Sequence, residues 1–140
     1  LIPEAFVYHK RRIDWNKFYT QVNKFGMVRP ILNKWHPNTS KITYWFPTLF
    51  CVGLIIATVL TFFGLYWPIY IYLGFYFLIF LESLIKNKSL GVALLSVLAV
   101  TIQFFGYGYG FLKSTIWLIF SKRSPEELFP KLFFKTSKVV

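Results

Sequence analysis

The hydrophobic residues of this chain fall into one periodic segment followed by two long apolar runs. From Asp14 to His36 the side chains of Trp15, Phe18, Tyr19, Val22, Phe25, Ile31, Leu32 and Trp35 recur at three- and four-residue steps, with Lys17, Gln21 and Lys24 on another face. That spacing predicts an amphipathic helix, capped by Asp14 and interrupted at Pro30. Its aromatic face suits the acyl boundary of a bilayer and its lysines suit phosphate groups, so the helix is expected to lie in the interface plane. Packing of the same face on an adjoining domain is the competing reading, and in a longer protein the two coexist.

Between Lys41 and Glu82 there is no charged residue, whereas about 20 helical residues are enough to cross the hydrocarbon core. Two helices are therefore expected, over 46–66 and 69–85, separated by a tight turn at Tyr66-Trp67-Pro68. Glu82 stands four residues before Lys86, the spacing of an interfacial ion pair on a helix; a functional carboxylate within the membrane is the alternative. Lys86-Asn87-Lys88 reads as a cytoplasmic loop.

The last run, 89–120, is interrupted only by Lys113 and is longer than one span requires. Either one span covers 90–112 and the tail emerges on the opposite side, or the run folds back at Gly106-Tyr107-Gly108-Tyr109-Gly110. Each half of such a hairpin would be shorter than about 17 residues, which favours three spans. Charge and parity then disagree, because the N-terminal segment, the 86–88 loop and the tail (Lys122, Arg123, Lys131, Lys135, Lys138) all carry the basic residues typical of cytoplasmic segments. In the tail, Ser124-Pro125-Glu126-Glu127 has the N-cap, first-position proline and early acids of a short surface helix.

Composition agrees with a bilayer as solvent: 56% of residues are hydrophobic, 22% aromatic and only 15% charged, and the mean hydropathy is +0.51. The formal charge of +11 sits almost entirely outside the apolar runs, where anionic headgroups attract it. Because the basic stretches flank segments that need lipid, the expected partner is a bilayer with anionic headgroups and no nucleic acid. Cys51 is the only cysteine, so no disulfide framework or cysteine metal cluster is built within the chain. The chain opens at Leu1 with charges following apolar residues, which is not the order of a signal peptide, and it reads as a piece of something longer.

Ahead of the amphipathic helix, Ala5-Phe6-Val7-Tyr8 is a short strand-prone run that delivers His9, Lys10, Arg11 and Arg12 into one small volume. Arg and Lys neutralise phosphate oxygens and His ligates divalent metals, so the cluster suits a diphosphate. A juxtamembrane basic cluster that only sets topology is the alternative. Thr58, Thr61, Ser96 and Gln103 are the modest candidates for a polar transport path, though small polar residues also serve helix packing, and Gly53, Gly64 and Gly74 read as close-approach positions. Tyr107, Tyr109 and Trp117 stack on a sugar or, more simply, anchor span ends at the interface.

Residues 3–12, then Phe18, Gln21-Val22, Gly26, Arg29, His36-Pro37 and the Gly-Tyr-Gly-Tyr-Gly-Phe element ending at Phe111, resemble the C-terminal portion of bacterial membrane-associated family 2 glycosyltransferases of GT-A type, the group that assembles exopolysaccharides and cell-envelope glycans. The resemblance implies that 1–13 ends a catalytic domain, that 14–41 is its interfacial connector, that 42–120 is a membrane region and that 121–140 is a basic tail. It implies a multi-pass protein of the bacterial inner membrane with its N-terminal segment cytoplasmic. It further implies a nucleotide-sugar donor, a lipid-linked or glycan acceptor, and a divalent metal, Mg or Mn, in the full-length enzyme. His9 would then meet the donor diphosphate or metal, with Lys10, Arg11 and Arg12 beside it, while Lys17, Gln21, Lys24 and Arg29 would face an acceptor phosphate or the interface. The Gln21–Arg29 spacing departs from the Gln-x-x-Arg-Trp element of the processive members. No Asp-x-Asp motif occurs here, and the catalytic residues would lie in the preceding domain, so this stretch alone is expected to be inactive. The class expected is mainly α and integral to the membrane: a short strand remnant, an interfacial helix, about three transmembrane helices and a short surface helix. A non-catalytic membrane scaffold or transporter fragment with a lipid-sensing helix is the alternative.

Overall fold

Asp14 opens the first helix in the manner its side chain dictates, with a carboxylate oxygen accepting from the backbone N–H of Asn16 at 2.8 Å and of Lys17 at 3.4 Å. This computed structural model describes residues 14–133, and those residues form five helices. They are α1 (Trp15–Trp35), α2 (Phe46–Thr61), α3 (Trp67–Asn87), α4 (Leu90–Phe120) and α5 (Pro125–Leu128), with single 3-10 turns at Pro37–Thr39, Ile42–Trp45 and Pro130–Leu132. There is no strand among the described residues; the expected strand at 5–8 and the His9, Lys10, Arg11, Arg12 cluster lie outside them.

α1 continues through Pro30 where an interruption was expected. The missing N–H of Pro30 leaves only the carbonyl of Gly26 without its usual partner. Both residues belong to the buried stripe Val22, Gly26, Pro30 and Ile31 that packs on α4, and such packing outweighs the local preference. The sequence grouping also changes: Phe25 and Trp15 turn outward, Phe25 with 59% of its surface exposed, while Ile31 keeps 1%.

Three helical stretches are long and apolar enough to cross a membrane: Ile42–Thr61, α3 and α4. They leave Ile71, Leu78, Leu94 and many other large apolar side chains exposed, surface that lipid covers without cost. The fold is thus mainly α and membrane-integral. The α2–α3 boundary differs from the expected one. α2 stops at Thr61, Gly64 takes the left-handed conformation at φ 80°, and Trp67-Pro68 become the first turn of α3. Gly64, and likewise Gly74, has open space where a Cβ would stand, so neither is a close-approach position; Gly53 is one, facing the Tyr72 hydroxyl.

α4 is one unbroken helix of 31 residues, roughly 46 Å long at about 1.5 Å per residue, against a hydrocarbon core of about 30 Å. The fold-back at Gly106–Gly110 does not occur. Gly108 and Gly110 are surfaces on which other backbones rest, and Gly106 receives side chains of α1.

The register of contacts along α4 fixes where everything else lies. α3 runs antiparallel to α4, with Ser83 bonded to Ser96 at 2.8 Å, Tyr76 to Thr101 at 3.3 Å, and Phe75 stacked on Phe104 at 5.9 Å. Extended by its remaining turns, α3 therefore begins beside the C-terminal half of α4. α2 starts there too: the Thr48 hydroxyl donates to the Gly108 carbonyl at 3.1 Å, and Trp45 meets Phe111 edge-on at 4.9 Å. Only five residues join α2 to α3, so both ends of α2 belong to this end of the α3–α4 hairpin. Phe50 locks the crossing, its ring 5.0 Å from Tyr72, 5.1 Å from Phe75 and 4.6 Å from Phe104. The opposite end is the turn at Lys88, whose φ of 50° is the only positive value at a non-glycine among the described residues.

Candidate functional site: a cationic cleft where α1, α4 and the tail meet

Close approach of two backbones builds this region. A Cβ on Gly26 would meet the carbonyl oxygen of Tyr107 and, at 3.0 Å, the amide nitrogen of Phe111; one on Gly110 would meet the carbonyl of Asn23 and, at 3.1 Å, the amide of Met27. Gly106 receives Val22 and Tyr19. The contacts advance together in both helices, so α1 lies lengthwise along the C-terminal half of α4. Glycines four apart create such a seam because nothing else lets two helix backbones touch. The Asn23 amide then donates to the Gly106 carbonyl at 2.9 Å, and Gly108, on another side of α4, takes the Pro47 carbonyl. Ser114 and Phe111, 0% and 2% exposed, complete the seam.

The tail doubles back over the seam. Ser124 caps α5 as its sequence foretells, its hydroxyl accepting from the Glu127 N–H at 3.3 Å. Phe129 is buried, and Phe133 rests against Trp35 with ring centres 6.0 Å apart. Between α1, α4 and this strap lies a cleft of about 390 Å³. Lys24 of α1, Lys113 of α4 and Lys131 of the tail line it, together with apolar walls from Met27, Phe129 and Leu132. The salt bridges found among the described residues are Lys17–Asp14 at 3.9 Å and Lys86–Glu82 at 2.6 Å, so none of the three cleft lysines is ion-paired to a carboxylate among them.

Of the residues expected at an acceptor phosphate or interface, only Lys24 enters this cleft. Lys17 is exposed at the start of α1 beside Asp14, and Gln21 is half-buried and engaged on its own chain. Arg29 clamps the connector to α2: its guanidinium lies 3.7 Å from the centre of the Tyr44 ring, and it donates to the Tyr44 hydroxyl and, at 3.2 Å, to the Thr39 carbonyl. Lys113 and Lys131 were legible only as a charge interrupting an apolar run and a charge in a tail; nothing in their spacing connects them to Lys24. His9 lies outside the described residues, and among those described no group of three or more His, Cys, Asp or Glu side chains could hold a metal.

Of the other polar candidates, Gln103 lines a second cleft of about 350 Å³ with Val22, Phe25 and Tyr44, and the rest bond to their own or a neighbouring helix. Thr58 and Thr61 donate to the carbonyls of Leu54 and Thr58 in their own helix, Ser96 joins α3 to α4, and Glu82 forms the ion pair with Lys86 that its spacing indicates. No family model, curated protein or solved structure matches this chain.

Proposed function

We propose that the chain is the membrane-anchoring and acceptor-side part of a bacterial glycosyltransferase, which moves a sugar from a nucleotide-diphosphate donor to a lipid-linked or glycan acceptor. The observation that carries the reading is the gathering of α1, the start of α2, the end of α4 and the tail at one end of the α3–α4 hairpin. That arrangement supplies an amphipathic, cationic platform at one membrane surface, directly after the His9-Lys10-Arg11-Arg12 cluster that resembles the edge of a donor site.

The charges support a definite orientation. Among the described residues Lys34, Lys113, Lys122, Arg123 and Lys131 lie toward this end, while the parallel register of α1 on α4 sets Lys17 nearer the middle of α4; Lys86, toward the Lys88 turn, is paired with Glu82. In the inner membrane this end faces the cytoplasm. α3 and α4 cross as a hairpin, and α2 enters the apolar layer obliquely from the cytoplasmic side and leaves on the same side. Parity and charge then agree.

In the reaction, an acceptor hydroxyl attacks the anomeric carbon and the nucleotide diphosphate leaves with the bonding pair. His9, Lys10, Arg11 and Arg12 would meet that leaving group, and a divalent metal, when bound, would supply further charge stabilisation there. The metal would be held mainly by the preceding domain, with His9 at its edge. What this chain contributes is position: α1, expected to lie in the interface plane, instead runs along the C-terminal half of α4, and the cleft between α1, α4 and the tail keeps an amphiphile within reach of the preceding domain.

In the full-length protein, His9→Ala and Arg11→Ala are expected to lower sugar transfer to membrane lipid extract at least tenfold while leaving the protein in the membrane fraction. Unchanged turnover in both variants refutes the donor-edge assignment. A full-length protein with no transferase activity on any nucleotide sugar favours the scaffold reading instead.

A further inference from the structure

We infer that the cleft between α1, α4 and the tail is a binding site for the phosphate headgroup of a membrane amphiphile. Three features converge on that ligand. Lys24, Lys113 and Lys131 come from three separate elements to one cavity of about 390 Å³, large enough for a headgroup and the first part of its tail. No carboxylate among the described residues lies within ion-pair distance of them, Glu126 and Glu127 standing in α5 outside the lining, so the cleft presents three cations to a phosphate of about two negative charges. The walls between the lysines are apolar, formed by Met27, Phe129 and Leu132, which a soluble anion leaves in contact with water and an acyl or prenyl tail covers.

The strap that closes the cleft is itself held by hydrophobic contacts, Phe129 into the seam and Phe133 on Trp35, so the third lysine is delivered by packing and is not a loose tail charge. The site rests on the placement of α1 and the tail at one membrane surface; it does not depend on the transferase reading, and where that reading is right the ligand is the phosphate-linked acceptor. Zwitterionic phosphatidylcholine carries its phosphate beneath a bulky trimethylammonium that three lysines repel, so the site discriminates toward exposed phosphomonoesters.

The test is lipid retention by the full-length protein, reconstituted in phosphatidylcholine nanodiscs doped with phosphatidic acid and released into the mass spectrometer under native conditions. One phosphatidic acid per protein is expected, with retention falling about fivefold for each of Lys24→Gln, Lys113→Gln and Lys131→Gln. A charge-matched control, Lys34→Gln with Lys41→Gln and Lys122→Gln, is expected to retain the lipid. Met27→Trp fills the cleft without touching a charge and is expected to expel it. Equal loss in the control triple, or retention in Met27→Trp, overturns the site by reducing it to general surface charge. Displacement of the lipid by millimolar inorganic phosphate overturns the amphiphile and assigns a free anion instead. Failure of transferase activity with lipid retention intact counts against the proposed function alone.

Discussion

Replacing Gly26 by alanine is the sharpest perturbation of the seam on which the cleft depends. The added methyl meets the Tyr107 carbonyl and, at 3.0 Å, the Phe111 amide nitrogen, both backbone atoms of α4 that cannot rotate away. Overpacking of this kind costs about 1–3 kcal/mol, and a rigid neighbour puts the value at the upper end. Parting the helices also strains the Asn23–Gly106 hydrogen bond, worth about 1 kcal/mol, while alanine returns about 1 kcal/mol of helix propensity. The net expectation is a loss of about 2–3 kcal/mol. Two companions give the scale. Gly106→Ala meets side-chain atoms, Val22 at 2.6 Å and Tyr19 at 3.3 Å; Tyr19 can turn aside but the buried, β-branched Val22 is fixed in a helix, so a smaller loss of about 1 kcal/mol is expected. Gly74→Ala points into open space and is expected to stabilise by up to about 1 kcal/mol. Reversible unfolding in mixed micelles on titration with sodium dodecyl sulfate ranks the three. If Gly26→Ala proves as stable as Gly74→Ala, the lengthwise contact of α1 with α4 is wrong.

Two smaller predictions concern the ends of elements. Lys88 holds a left-handed backbone at φ 50°, so Lys88→Gly is expected to stabilise by about 1 kcal/mol and to raise the thermal midpoint in detergent; a lower midpoint contradicts the turn geometry. Arg29→Lys keeps the charge but loses the planar stack on Tyr44 and the guanidinium donation to the Thr39 carbonyl. Amide exchange over 37–45 should therefore quicken about tenfold, the equivalent of about 1.4 kcal/mol, and unchanged exchange shows that the clamp is idle.

Much of the secondary structure was legible because its signals are local. Asp14 and Ser124 are capping residues placed before helical patterns, Glu82 and Lys86 stand at pairing distance on one helix, and the charge-free runs are too long to be anything but membrane helices. The errors share a cause in tertiary contact. Pro30 reads as a break until α4 is known to back the residue it would disrupt. The three glycines at 106, 108 and 110 read as a flexible bend, yet each is occupied by another backbone or side chain that forbids bending. Periodicity put Phe25 with Val22 on one face, but a glycine seam buries a narrower stripe and frees the aromatics for lipid. The cleft was least legible of all, because Lys24, Lys113 and Lys131 are brought together by the parallel register of α1 on α4 and by the return of the tail, and neither leaves a mark in sequence spacing.

The account stands on α1, the start of α2 and the tail sharing one side of the membrane, opposite the Lys88 turn. Single cysteines at positions 34, 88 and 131, introduced into an otherwise cysteine-free protein carrying Cys51→Ser, report this directly through labelling of intact spheroplasts with a membrane-impermeant maleimide. Cysteine at 88 is expected to label in intact spheroplasts, and those at 34 and 131 only after lysis. Labelling at 131 from the outside, with 34 protected, would put the end of α1 and the tail on opposite faces and contradict the packing of the tail and α4 against α1.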